Sequence, residues 1–326
     1  MANQFLKTSQ IVSAGLGVLE RELVLHNLVS SDASQLATGR TPLNDTISIR
    51  IDGRTKANSR QIRERGAAGE PHASPDGIIK TSDLTEHKID VKIDQHIYNS
   101  VQITDEELSL DIGDFTNYVV VPQTRSVAED IENRIAAAIR GATYGDMEVT
   151  GTGEDFHKAV VGARKLLNDA NVPQNGRVLV VGTAVEAAIL TSDQFRRYDA
   201  SGDSNALRAA TIGSVGGMNV VVSNSIAEGE AFAFHRSAFQ SVFRVPANPL
   251  GGVETGSGSY AGIAMRWVKD YDPNYMANRS TFDTYFGINV VEDPVDYTDN
   301  SAGTELRRAV KLTLDLDAGV EDPEDP

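Results

Sequence analysis

Val127, Ile131, Ile135 and Ile139 recur at every fourth position, with Ala128, Ala138 and Ala142 beside them. That spacing lays one narrow apolar stripe along an α-helix and predicts a helix over residues 126–140. Ser126 is followed three places on by Glu129, the spacing at which each side chain satisfies the other's free backbone N–H at a helix start. Pro122 lies just upstream, where a missing donor does least harm, and Gly141 and Gly145 offer a stop. Glu129, Asp130, Glu132, Arg134 and Arg140 take the remaining surface. At 1.5 Å per residue such a rod is roughly 20–25 Å long, about the diameter of a small domain. The chain before it reads as arms and hairpins, and the chain after it as a compact α/β unit.

The 326 residues suffice for about two ordinary domains with their own cores. The absence of cysteine excludes disulfides, thiolate metal sites and a cysteine nucleophile, and fits a reducing compartment. The N-terminus lacks the apolar core of a signal peptide, and no apolar run is long enough to span a bilayer. A net charge of −16 argues against a protein whose main task is gripping phosphate backbones. The charge is uneven. Residues 46–65 carry six basic side chains against two acidic ones, a net of +4, whereas residues 292–326 carry eleven acids against three bases, a net of −8. Both stretches read equally as solvated segments or as oppositely charged extensions that meet other copies of the chain.

Ahead of the long helix, residues 8–29 are expected to form an amphipathic helix. Val12, Leu16, Leu19 and Leu23 fall at i, i+4, i+7 and i+11, and so far from a continuing core that stripe is expected to bury itself on a neighbouring copy. Its polar face is not lysine-rich, which disfavours a membrane surface. Residues 46–51 alternate strictly and predict a half-buried strand, paired with a second one over residues 87–97. The polar residues 52–86 between them are too long for a structureless loop in a compact domain, so the whole reads as a projecting hairpin arm. A lone hairpin is marginal in water and needs a neighbouring surface, which makes Arg54, Lys56, Arg60, Arg63 and Arg65 candidate inter-subunit contacts. Thr104 followed by Asp105, Glu106 and Glu107 reads as a capped helix start with acids at its positive end, not as a metal or acid–base site.

After the long helix, residues 156–170 predict a helix closed by a turn at Asn171–Gly176, and residues 177–181 a buried strand that runs through Gly182 into a second helix. Strands follow at 218–223, 231–235 and 242–245, a flexible loop at 251–258, and two strands either side of a turn at Tyr271–Pro273. The strand–Gly182–helix unit is the one hint of a nucleotide site. It has one glycine where a dinucleotide fingerprint needs three, and no P-loop occurs elsewhere. The six histidines show no ligand spacing, and no G-x-S-x-G elbow exists. The residues therefore nominate no catalytic, metal or cofactor site. Lys56 and Lys80 are the donors an isopeptide cross-link would use, and none is expected.

The order of elements, with Leu19-Glu20-Arg21-Glu22-Leu23-Val24-Leu25, Asn44-Asp45-Thr46-Ile47-Ser48-Ile49-Arg50, Ile103-Thr104-Asp105-Glu106-Glu107-Leu108, Val268-Lys269-Asp270-Tyr271-Asp272 and Gly287-Ile288-Asn289-Val290-Val291, resembles the major capsid proteins of tailed double-stranded DNA bacteriophages. The resemblance covers roughly residues 8–291. It implies an α+β fold of the Hong Kong 97 type: an N-terminal arm (1–44), an extended loop (45–100), a peripheral domain with a spine helix (101–151 and 258–291), an axial domain (152–257) and an acidic tail (292–326). It implies self-assembly into pentamers and hexamers of an icosahedral shell around packaged DNA, assembled in the bacterial host cytoplasm and found in the virion. The implied partners are a separate scaffolding protein, a portal and a decoration protein, with no cofactor and no membrane. The alternating Val310, Leu312, Leu314 and Leu316 lie beyond that pattern and have no assignment. An encapsulin-like compartment shell and an α/β nucleotide-using enzyme are the other readings.

Overall fold

Two six-stranded sheets share the long helix between them. The computed structural model describes residues 11–17, 23–31, 46–51, 87–106, 115–152, 156–191, 213–249, 253–260, 263–295 and 303–315. Residues 11–17 form helix α1, and a 3₁₀ turn at His26–Leu28 leads to β1 (Ser30–Ser31). Then come β2 (Thr46–Ile51), β3 (His87–Lys92), β4 (Gln95–Thr104) and a π-helical turn, Thr116–Val120, that runs into the long helix α2 (Val121–Gly141). The next group is β5 (Glu148–Thr152), α3 (Phe156–Asp169), β6 (Arg177–Val181), α4 (Thr183–Thr191), β7 (Ser214–Val215), β8 (Met218–Val222) and β9 (Glu230–His235). The chain continues through β10 (Phe239–Arg244), β11 (Glu254–Tyr260), β12 (Ile263–Asp272), β13 (Ala277–Val290), β14 (Asp293–Pro294), β15 (Thr304–Glu305) and β16 (Ala309–Asp315).

The first sheet is built on β13. Its 14 residues carry β4 along one edge, and β12 followed by β10 along the other. β11 extends β12, and β1 pairs in parallel with β10. Strand alternation puts Trp267, Phe282 and Phe286 on the face that α2 covers, beside Ile131, Ile135 and Ile139. Polar groups at this seam are mutually satisfied. The Trp267 indole donates to Ser280 Oγ at 2.9 Å, and that hydroxyl donates to Gln123 Oε1 at 2.8 Å. The Gln123 amide returns a bond to the Ser280 carbonyl at 2.8 Å.

The second sheet runs β5-β16-β9-β6-β8-β7. In β9 the alternation is between large and small: Phe232 and Phe234 join the α2 core, while Ala231 and Ala233 face the layer of α3 and α4. There Val160, Ala163 and Leu167 pack with Leu179, Val181 and Leu312.

The sequence expectations change at five places. The long helix begins at Val121, not Ser126, because the π-helical turn feeds it directly, and Pro122 sits in its first turn. Ser126 is therefore interior and caps nothing; its hydroxyl accepts from Asn99 Nδ2 at 3.1 Å. The N-terminal segment is not one helix through residue 29. Leu25 and His26 give their N–H groups to the Glu132 carboxylate, at 2.9 and 3.3 Å, instead of to carbonyls one turn back. The strand expected over 87–97 divides: β3 pairs with β2, whereas β4 turns onto β13. The loop expected at 251–258 is strand β11, paired with β12 along its whole length. Gly258 serves packing, since a Cβ there would lie 2.9 Å from Val12 and 3.0 Å from Leu16. Finally, residues 309–315 are no solvated tail. They form β16, inside the second sheet between β5 and β9, with Val310, Leu312 and Leu314 buried. Sheet membership thus moves β10 and β11 to the first sheet and β5 and β16 to the second.

Candidate functional site

The strand–Gly182–helix turn is filled by the protein itself. A Cβ at Gly182 would lie 2.2 Å from the Ala227 carbonyl oxygen and 2.7 Å from that of Glu228, so the glycine exists to admit backbone. The Gly182 N–H donates to Glu230 O at 3.0 Å and the Val185 N–H to Glu228 O at 3.2 Å. Donors that would cradle a phosphate at a helix start are already spent on carbonyls.

Several of the described acids and histidines are likewise engaged in structure. Asp105 accepts from the Tyr271 hydroxyl at 3.0 Å and from Asn278 Nδ2 at 3.3 Å, which ties the end of β4 to the β12–β13 hairpin. Asp283, nearly buried, is held by Arg266 through two guanidinium nitrogens, Nε and Nη2, and lies 3.2 Å from His96 Nε2. Glu230 joins Arg140 of α2 to Lys311 of β16; burial pushes its carboxyl up, but those two cations outweigh burial and hold it below the usual range. His235 accepts the Ser237 N–H and lies 3.1 Å from Asn175 O, with burial first among the causes that lower its imidazole. His26 meets the Phe243 ring edge-on at 5.1 Å. Among the described residues no three His, Asp or Glu side chains are grouped to hold a metal ion.

The buried carboxylate of α2 does a different job. Glu132 accepts backbone N–H groups from Val24, Leu25 and His26, closing the start of the 3₁₀ turn. Desolvation nonetheless raises its carboxyl above 4.5, the backbone donors offsetting only part of that rise. This clamp, missed in the sequence, sits inside the long helix as an ordinary-looking surface acid.

The expected contact residues separate into two groups. Val12, Leu16 and Leu23 are buried in the chain's own core with Leu25 and Val29, so they are corrected from inter-subunit contacts to intramolecular ones. Their stripe finds α2 and the first sheet, where Gly15 lies against Thr124 and Phe282. Leu19, Arg54, Lys56, Arg60, Arg63 and Arg65 lie outside the described residues, as do Lys80 and Leu316. What the structure does describe of the hairpin is its ribbon and its root. β2 and β3 pair in antiparallel register from Thr46↔Lys92 to Ile51↔His87, and among the described residues neither pairs with a third strand. Ile47 and Val91 form a small cluster with Val242 of β10. Elsewhere the surface offers large apolar groups at Tyr98, Tyr118, Tyr275 and Met276, each more than 60% exposed.

A family model described as phage capsid protein matches residues 88–276, more than half of the chain. The fold is similar to a chain from Mycobacterium phage Che8, with a TM-score of 0.60 at 19% identity over 96% of this chain and 93% of that one. It is similar to the capsid structure of cyanophage P-SCSP1u (TM-score 0.59, 12% identity, 97% and 91% covered). A third likeness is to the capsid of Ralstonia phage GP4 (TM-score 0.57, 12% identity, 100% and 95% covered). No curated protein matches the chain.

Proposed function

Since the chain belongs to the phage capsid protein family and is a structural coat protein of an icosahedral shell, we propose that its hairpin is the element that fastens one copy to the next. The observation that carries this is the ribbon itself. Among the described residues β2 and β3 make a two-stranded unit seated at its root, and such a unit is marginal in water without further surface. The connection between the strands bears Arg54, Lys56, Arg60, Arg63 and Arg65 in a chain of net charge −16, so an acidic face of a second copy suits it. A shell subunit needs several heterologous contacts, and a projecting ribbon supplies area that a globule cannot.

On the same reading, residues 45–100 are the extended loop, while the segment before them packs back on its own subunit through Val12, Leu16, Leu23, Leu25 and Val29. The peripheral domain is the first sheet with α2, and the axial domain, meeting its copies in pentamers and hexamers, is the second sheet with α3 and α4. Their boundaries follow the strand pairing: β10 and β11 go with the former, β5 and β16 with the latter. A scaffolding protein, a portal and a decoration protein are the further partners, with assembly in the host cytoplasm around a space for double-stranded DNA. The acidic balance suits a container, since a basic wall would hold DNA through counterion release.

Replacing Arg60, Arg63 and Arg65 together by Ala tests the role of the hairpin. Solvated charges are worth about 0–1 kcal/mol each, so the unassembled subunit should melt as the parent does. Shell yield, counted by electron microscopy, should fall, and surviving shells should be more salt-sensitive. Parental yield at both low and high salt would show that the loop's charge is merely solvated.

A further inference from the structure

At the foot of the hairpin one position of β13 has no room for any side chain. A Cβ built on Gly287 would lie 2.3 Å from the Lys92 carbonyl oxygen, 2.9 Å from its carbonyl carbon and 3.0 Å from Ile93 Cα. These are backbone atoms at the end of β3, where the chain leaves the ribbon and enters β4. A flexible side chain could swing aside; a backbone carbonyl moves only if the strand moves with it. Gly287 has no left-handed φ, so its need for glycine is this approach and not its own conformation.

Two further contacts surround the same spot. Two residues on, Asn289 Nδ2 donates to the Asp90 carbonyl at 2.9 Å, while its Oδ1 accepts the Val290 N–H at 2.8 Å, so the amide bridges β13 to β3. Val242, the cross-strand partner of Gly287, closes the apolar cluster with Ile47 and Val91. A glycine seat, a polar clip and an apolar contact therefore join the ribbon to the first sheet at three points.

We infer that Gly287 is the seat that sets the direction in which the hairpin leaves the first sheet, with Asn289 as its clip. A ribbon fixed at one end acts as a lever: a displacement of about an ångström at the root grows with distance along strands that rise about 3.3 Å per residue. Gly287 is thus a positioning residue for the contacts that the hairpin makes, and this consequence rests on the proposed fastening role. The seat itself does not, and it is measured without assembly.

The chain has no cysteine, so Lys88→Cys on the ribbon and Glu129→Cys on α2, both exposed positions, give a clean pair for spin labels in the full-length, unassembled protein. The parent should give one narrow distance distribution. Gly287→Ala should shift or broaden it while the circular dichroism spectrum is retained, and Asn289→Ala should broaden it to a lesser degree. Shells from Gly287→Ala should be fewer or irregular by electron microscopy. A broad distribution in the parent overturns the inference, as does an unchanged distribution in every variant that folds. A shifted distance with parental shells would leave the seat standing and contradict the fastening role instead.

Discussion

The N-terminal segment and the hairpin both look like arms, yet they are held in opposite ways. Val12, Leu16, Leu23, Leu25 and Val29 are buried in the chain's own core, and Glu132 of α2 binds the backbone where that segment turns. Among the described residues β2 and β3 meet the body of the protein along β10 and β13, at Val242, Gly287 and Asn289. The first segment completes the fold of one subunit, whereas the described part of the second is seated at one end. An apolar stripe states that burial is required and does not state which chain provides it. A two-stranded ribbon with one seated end is the stronger sign of a partner.

Deleting residues 1–29 should break the comparison most sharply. Six buried aliphatic side chains, Ile11 included, at about 1.5–3 kcal/mol each match the whole stability of a typical domain, about 5–15 kcal/mol. The truncated chain should lose its cooperative thermal transition by circular dichroism; a parental melt would mean that the segment is an arm after all.

The far end of the chain extends the contrast. Arg308 holds nearly buried Asp293 through two nitrogens and donates to Ser237 Oγ at 3.0 Å, pinning the approach to β16. Arg308→Ala removes two charge-assisted hydrogen bonds from that nearly buried carboxylate, and should cost about 3 kcal/mol in urea unfolding. A loss below about 1 kcal/mol would return the segment to the status of a tail.

Glu132→Ala leaves buried N–H groups unpaired and should cost about 2 kcal/mol. The pH dependence has a definite sign. The folded-state carboxyl titrates above 4.5, so the native state binds the proton more tightly. Its contribution is fully present below about 4.5 and is lost as pH rises through the folded value. Measured against Glu132→Gln, the parent should therefore be relatively less stable at pH 7 than at pH 4.5. A difference that is flat, or of opposite slope, would remove desolvation as the dominant cause. The smallest effect on the isolated subunit belongs to the Arg60, Arg63 and Arg65 triple variant, whose loss should appear only on assembly.

Much of this architecture is legible in the residues. The period-four stripe of Val127 to Ile139 gave the long helix, and the alternation of Thr46–Ile51 gave a strand with its partner. Buried β6 and the helix after it read directly from their apolar run. What escaped depended on distant neighbours. Ser126 and Glu129 have a capping spacing, but tertiary contacts with β4 and β13 extend the helix past it. The glycine-rich β11 reads as a loop because the residues that fill the space at Gly258, Val12 and Leu16, lie more than 240 positions away. β16 carried its alternation openly, yet nothing local says that β5 and β9 flank it. Glu132 resembles any surface acid until the 3₁₀ turn is placed over it.

Hydrogen exchange compared between unassembled subunits and finished shells tests the central claim most directly. Residues 23–31 should already be protected in the subunit, at a level like that of α2, and should change little in the shell. Residues 54–65 should gain their protection only on assembly. Exchange that is fast at 23–31 in the subunit and slow only in the shell, with 54–65 unaffected, would invert the assignment and contradict the account.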